Sequence, residues 1–93
     1  MADESPKVIR MAETPFLVVL RVEGSLVADM VGLLETESLA VLAGNKWLGL
    51  DLYGVTNIDS SGITMLKRLA KERVQLINCP LTIRAALRES QPC

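Results

Sequence analysis

The chain has 93 residues, enough for one domain with a thin core, in which roughly 60–65% of the unfolded surface would be covered on folding. Hydrophobic residues make up 49% and charged residues 23%, an ordinary globular composition, and ten basic against eleven acidic side chains leave a net charge of −1. That balance gives no electrostatic footprint for nucleic acid or an anionic membrane surface, and the longest apolar run, Phe16 to Leu20, is too short to span a bilayer. Neither a nucleic-acid partner nor membrane insertion is expected.

The N-terminus is acidic and lacks the basic start and apolar stretch of a signal peptide, so a cytoplasmic address is the expectation. Residues 1–6 read as a flexible tail before a domain spanning 7–90. Lys7 to Met11 fits a short edge strand with a charge near each end, followed by a turn over Ala12 to Pro15. Phe16 to Glu23 begins as a continuous apolar run and ends in alternation, as a mostly buried strand does, with Gly24 expected to end it. Val27, Met30, Val31 and Leu34 then recur at helical spacing, and Val41 and Leu42 resume it. One helix is predicted from Val27 to about Ala43, irregular near Thr36-Glu37-Ser38, with Gly44-Asn45 as its stop.

Trp47 to Leu52 is the next strand, and Gly54 to Ile58 reads as a loop leading out of it. Core or rim packing is expected of Trp47 and Tyr53. A second helix follows from Ser61 to about Glu72, with Ile63, Leu66, Leu69 and Ala70 on one face. Arg73 to Ile77 is a short strand, and Asn78-Cys79-Pro80 starts a last helix whose inner face holds Ile83, Ala86 and Leu87. The order β-β-α-β-α-β-α predicts a single α/β domain: a mixed, mostly parallel sheet of about four strands with helices packed on it.

The chemistry concentrates where a helix opens at Asp59-Ser60-Ser61-Gly62. A helix start leaves backbone N–H groups unpaired, Asp and Ser accept from them, and the same groups with the helix dipole stabilise an added anion. A phosphate on a serine here would be tolerated by its own fold. Gly62 carries no side chain, which suggests room for another protein to approach.

Enzyme chemistry is not expected. With no histidine, neither a Ser-His-Asp nor a Cys-His arrangement exists. Ser60 and Lys67 are about 10 Å apart along a helix, outside hydrogen-bond reach. Asp51 and Asp59 do not form the acidic cluster of a Mg²⁺ site, and Asp51 reads as a strand-end carboxylate meeting backbone N–H groups or solvent. Cys79 and Cys93 are too few for a disulfide framework or a zinc site, so Cys79 is expected half-buried and Cys93 frayed. Lys67, Arg68, Lys71 and Arg73 suit the end of a helix as a solvated face. No glycine-rich phosphate loop occurs, and no cofactor is expected.

The stretch Leu50-Asp51-Leu52-Tyr53-Gly54-Val55-Thr56-Asn57-Ile58-Asp59-Ser60-Ser61-Gly62-Ile63-Thr64-Met65-Leu66 resembles the signature region of the STAS domain family, which includes bacterial anti-sigma factor antagonists. Leu20-Arg21-Val22-Glu23-Gly24-Ser25-Leu26 and, more weakly, Val74-Gln75-Leu76-Ile77-Asn78-Cys79-Pro80 are similar to two further family segments, so the resemblance runs from Val8 to Leu87. It implies a non-catalytic, protein-binding regulator of transcription that works by partner switching. The second serine of the motif, here Ser61, would be phosphorylated by an anti-sigma factor with serine kinase activity. Asp59, Ser60, Ser61, Gly62 and Met65 would meet the partner. The resemblance also admits an unphosphorylated adaptor bound to the transport ATPase of an ABC-type lipid-transport complex.

Overall fold

Unbroken aliphatic runs form strands buried against other layers, and the two strongest runs of this chain become its central strands. The computed structural model describes residues 7–89. Its elements are β1 (Lys7–Glu13), β2 (Leu17–Leu26), α1 (Asp29–Ala43), β3 (Trp47–Ile58), α2 (Ser60–Leu69), β4 (Val74–Ile77) and α3 (Leu81–Glu89), in the expected order. The sheet runs β1-β2-β3-β4, with β1 antiparallel to β2 and the remaining pairs parallel, which is the mixed, mostly parallel α/β sheet expected. The residues expected to be a tail, 1–6, together with Ser90 and Cys93, lie outside the described residues.

Both crossovers step to the adjacent strand in the same direction, so right-handedness puts α1 and α2 on one face of the sheet. Under them lie Val18, Leu20, Val22 and Leu26 of β2 and Leu48, Leu50, Leu52 and Val55 of β3. Met30, Val31, Leu34 and Val41 of α1, Met65, Leu66 and Leu69 of α2, and Ile83 of α3 close the core. The helix α1 runs unbroken through Thr36-Glu37-Ser38, where the sequence pattern predicts an irregularity. Ser38 is fully buried there, and its hydroxyl donates to the Leu34 carbonyl one turn back at 2.7 Å, which satisfies a polar group on the apolar face.

The opposite face carries Leu17, Val19, Arg21 and Glu23 of β2 and Trp47, Asp51 and Tyr53 of β3 by strand alternation. Trp47 is 50% exposed and Tyr53 72% exposed, so neither is a core residue. The Arg21 guanidinium stands over the Tyr53 ring instead, 5.9 Å from its centre.

Several boundaries differ from expectation. β1 extends past Met11 to Glu13 because a bulge between Arg10 and Ala12 lets pairing resume. Gly24 does not end β2: at φ 90 it sits in an irregularity of the ladder and the strand continues to Leu26. The segment Gly54–Ile58 is strand rather than loop, since Val55, Asn57 and Ile58 pair with Gly24, Ser25 and Leu26. Gly54 permits this pairing, because a Cβ there would lie 2.8 Å from Glu23 Cγ and 3.2 Å from the Val22 carbonyl. α1 starts at Asp29 and not Val27, and α2 covers Ser60–Leu69 rather than Ser61–Glu72. β4 starts at Val74, and Pro80 precedes α3, its carbonyl accepting from Arg84 N–H at 2.9 Å.

Leu50 lies in the middle of β3 with no exposed surface. Leu50→Ala is expected to lower unfolding stability by about 2–5 kcal/mol in a urea titration, while Tyr53→Ser changes it by less than about 0.5 kcal/mol.

Candidate functional site

The unexpected length of β2 and β3 builds the site. Leu26 and Ile58 are register neighbours at the carboxyl ends of two parallel strands, and each strand leads within a few residues into a helix. The starts of α1 and α2 therefore lie side by side, at the end of a parallel sheet where backbone N–H groups converge.

Asp59 sits between them. Its carbonyl accepts the first helical bond of α2 from Ile63 N–H at 3.1 Å, and its own N–H reaches the Leu26 carbonyl at 3.5 Å. Its carboxylate accepts from Ser61 Oγ at 2.7 Å and Gly62 N–H at 2.8 Å through Oδ1, and from Ala28 N–H at 3.3 Å through Oδ2. It is an N-cap of α2 that also holds the residue before α1. The Ser61 hydroxyl and the Gly62 N–H, with Ala28 N–H behind them, favour the charged form and hold its pKa below the ordinary 3.8.

Ser60 and Ser61 are both exposed but face different ways. Ser61 turns toward Asp59, while Ser60 lines an open cavity of about 380 Å³ with Val55, Asn57, Ile58, Ile63 and Ile83, between β3, α2 and α3. Two residues expected to meet a partner do not present themselves to one. Met65 has no exposed surface and is part of the core, because it falls on the inner face of α2. Gly62 is also buried. A Cβ there would lie 2.7 Å from Ile58 Cγ1 and 2.8 Å from the Leu26 carbonyl, so the missing side chain lets α2 sit on the strand ends rather than making room for another protein.

The remaining sequence candidates have structural roles. Asp51 stands inside β3 rather than at a strand end, because pairing with β2 carries the strand on to Ile58; its Oδ1 accepts from Tyr53 N–H at 3.0 Å and from Asn78 Nδ2 at 3.3 Å. Cys79 is half-buried, and burial pushes its thiol pKa up, away from thiolate reactivity. Arg68 pairs with Glu35 of α1 at 2.7 Å, and Arg73 donates to the Leu42 carbonyl near the end of α1 at 2.9 Å, so two of the four basic residues bind the helix layer together. Among the described residues no group of three or more His, Cys, Asp or Glu side chains could hold a metal ion, and no helix is long and apolar enough to cross a membrane.

The position of Ala28 was not legible in the sequence. It has φ 50 and ψ −123, and the Val27 carbonyl accepts from Met30 N–H across it at 3.0 Å. This is the first central position of a type II′ turn, which normally takes glycine. An alanine carries no signal of that role.

A family model described as the STAS domain matches residues 8–87. The chain belongs to the STAS domain family. Two solved structures share this fold. One is the anti-sigma factor antagonist SpoIIAA in its unphosphorylated form, with 22% identity, a TM-score of 0.68, and coverage of 90% of this chain and 82% of that one. The other is an anti-sigma factor antagonist from Mycobacterium paratuberculosis, with 20% identity, a TM-score of 0.74, and coverage of 96% of this chain and 80% of that one. No curated protein matches the sequence.

Two measurements check the geometry of this STAS domain. Gly62→Ala is expected to lose about 1–3 kcal/mol of unfolding stability through overpacking against Ile58 and Leu26. Gly32→Ala, on an open stretch of α1 with nothing near its Cβ, gains about 0.5–1 kcal/mol. Because folding lowers the pKa of Asp59, its ionised form contributes stability that is fully present above the ordinary value of 3.8 and is lost as pH falls through the lower folded value. The urea midpoint of the wild type should therefore exceed that of Asp59→Asn by a constant margin near neutral pH, and the margin should close below 3.8.

Proposed function

We propose that this STAS domain is a non-catalytic, partner-switching regulator of the anti-sigma factor antagonist type, acting in the bacterial cytoplasm with Ser61 as its phosphorylated residue. The observation that carries the reading is the Ser61 hydroxyl itself: exposed, on the first turn of a helix supported by the core, and held by Asp59 at 2.7 Å. Likeness in fold to two anti-sigma factor antagonists supports it. The docking surface is the exposed start of α2, with Asp59, Ser60 and Ser61 at its centre and Thr56, Asn57 and Thr64 beside them. Gly62 and Met65 support this surface from within.

In the unmodified state the domain binds an anti-sigma factor that is also a serine kinase. A phosphate on Ser61 adds about −1.5 to −2 charges to the docking surface, where the helix start of α2 accommodates it and the partner's complementary surface does not. Repulsion and the disruption of favourable interactions there weaken the complex by about ten- to a hundredfold, or about 1–3 kcal/mol.

The test is intact-mass analysis after incubating the domain with an anti-sigma factor serine kinase and ATP. One phosphoryl adduct is expected on the wild type and on Ser60→Ala, and none on Ser61→Ala. An adduct that survives in Ser61→Ala overturns the site. If no kinase modifies the domain and it copurifies with a transport ATPase, the adaptor function replaces partner switching.

A further inference from the structure

We infer that phosphorylation of Ser61 is transmitted to the start of α1 through Asp59, so that the switch surface includes Val27, Ala28 and Asp29 as well as the start of α2. The trigger rests on the phosphorylation proposed above; the coupling rests on the hydrogen bonds and backbone of the unmodified domain.

One carboxylate does two tasks. Through Oδ1 it holds Ser61 Oγ and Gly62 N–H of α2, and through Oδ2 it holds the N–H of Ala28. Ala28 occupies a backbone region that disfavours a side chain, with φ 50 and ψ −123. Its N–H bond to Asp59 and the Met30 N–H bond to the Val27 carbonyl hold that turn. The start of α1 is therefore a strained element whose strap leads to the residue that also holds the Ser61 hydroxyl.

Phosphoryl transfer removes the strap's other anchor. As the Ser61 Oγ–P bond forms, the β,γ-anhydride P–O bond of ATP breaks, ADP leaves, and the hydroxyl proton passes to the kinase or solvent. The ester oxygen then has no hydrogen to donate to Asp59. The phosphoryl group brings about −1.5 to −2 charges beside a carboxylate that was 2.7 Å from the same oxygen. It also competes for the Gly62 N–H, to which a phosphate at a helix start is the stronger acceptor. Asp59 is driven out, Ala28 N–H loses its acceptor, and the turn over Val27 to Met30 relaxes to a conformation that suits alanine. The exposed Ala28 and Asp29 backbone thereby changes shape when Ser61 is modified.

Amide hydrogen exchange by NMR on the full-length chain tests the coupling without a kinase. Ser61→Glu and Asp59→Ala are each expected to speed exchange at Ala28 by about tenfold or more, the loss of one hydrogen bond to a charged acceptor, with core amides of β2 and β3 unchanged. Ser60→Glu, the same charge on a side chain with no bond to Asp59, should leave Ala28 at the wild-type rate. Adding Ala28→Gly to Ser61→Glu should slow exchange at Met30 relative to Ser61→Glu alone, because glycine holds the turn closed by the Met30 N–H bond to the Val27 carbonyl without the strap. Wild-type exchange at Ala28 in Ser61→Glu overturns the coupling, as does a uniform rise across the core amides. Wild-type exchange in Asp59→Ala overturns the strap itself. The kinase assay reads whether Ser61 is modified and the exchange measurement reads whether α1 responds, so failure of one is visible separately from failure of the other.

Discussion

The carboxylate of Asp59 is where the chain's local and long-range structure meet. It stands at the carboxyl ends of two parallel strands, takes N–H donors from the starts of two helices, and holds the one hydroxyl to which the proposed function assigns a phosphate. A carboxylate suits this place because it can accept several bonds at once, while a helix start offers N–H groups that nothing else in the helix can satisfy. Every distance around it depends on Leu26 and Ile58 ending side by side.

That alignment has its own requirements. Gly24 at φ 90 and the close approach of Gly54 to Glu23 let β2 and β3 continue pairing through their irregular region. Gly62 then lets α2 rest on the two strand ends. Below this seam the aliphatic core fixes the helices to one face, and Arg68 and Arg73 tie α2 and the start of β4 to α1. The exposed ion pair of Arg68 with Glu35 contributes at most about 1 kcal/mol, so the layer is held chiefly by burial. A rigid support of this kind would let an added charge alter the proposed docking surface without melting the domain.

The two serines illustrate how a helix start divides its surroundings. They are adjacent in sequence, yet one faces the cavity beside α3 and the other turns its hydroxyl to Asp59. Successive helical residues point about 100° apart, so this separation is built into the backbone. Only the Ser61 hydroxyl bonds to the residue that bridges both helices, which gives the two hydroxyls different consequences if either is modified.

Element order, the mixed sheet and the capped helix at Asp59 were legible because they rest on short-range causes: apolar runs, helical spacing, and the preference of Asp for an N-cap. The half-buried Cys79 followed from the same reasoning, whereas Asp51, expected at a strand end, lies inside β3. The sequence by itself thus determined the class of fold and the capped helix start at Asp59. Only the tertiary structure decided that Gly54 to Ile58 is strand, that Gly62 and Met65 face inward, and that Ala28 meets Asp59 across 31 positions of chain. Pairing with a neighbouring strand overrode the turn preference of glycine, and close packing of α2 on the strand ends filled the space beside the missing side chain of Gly62.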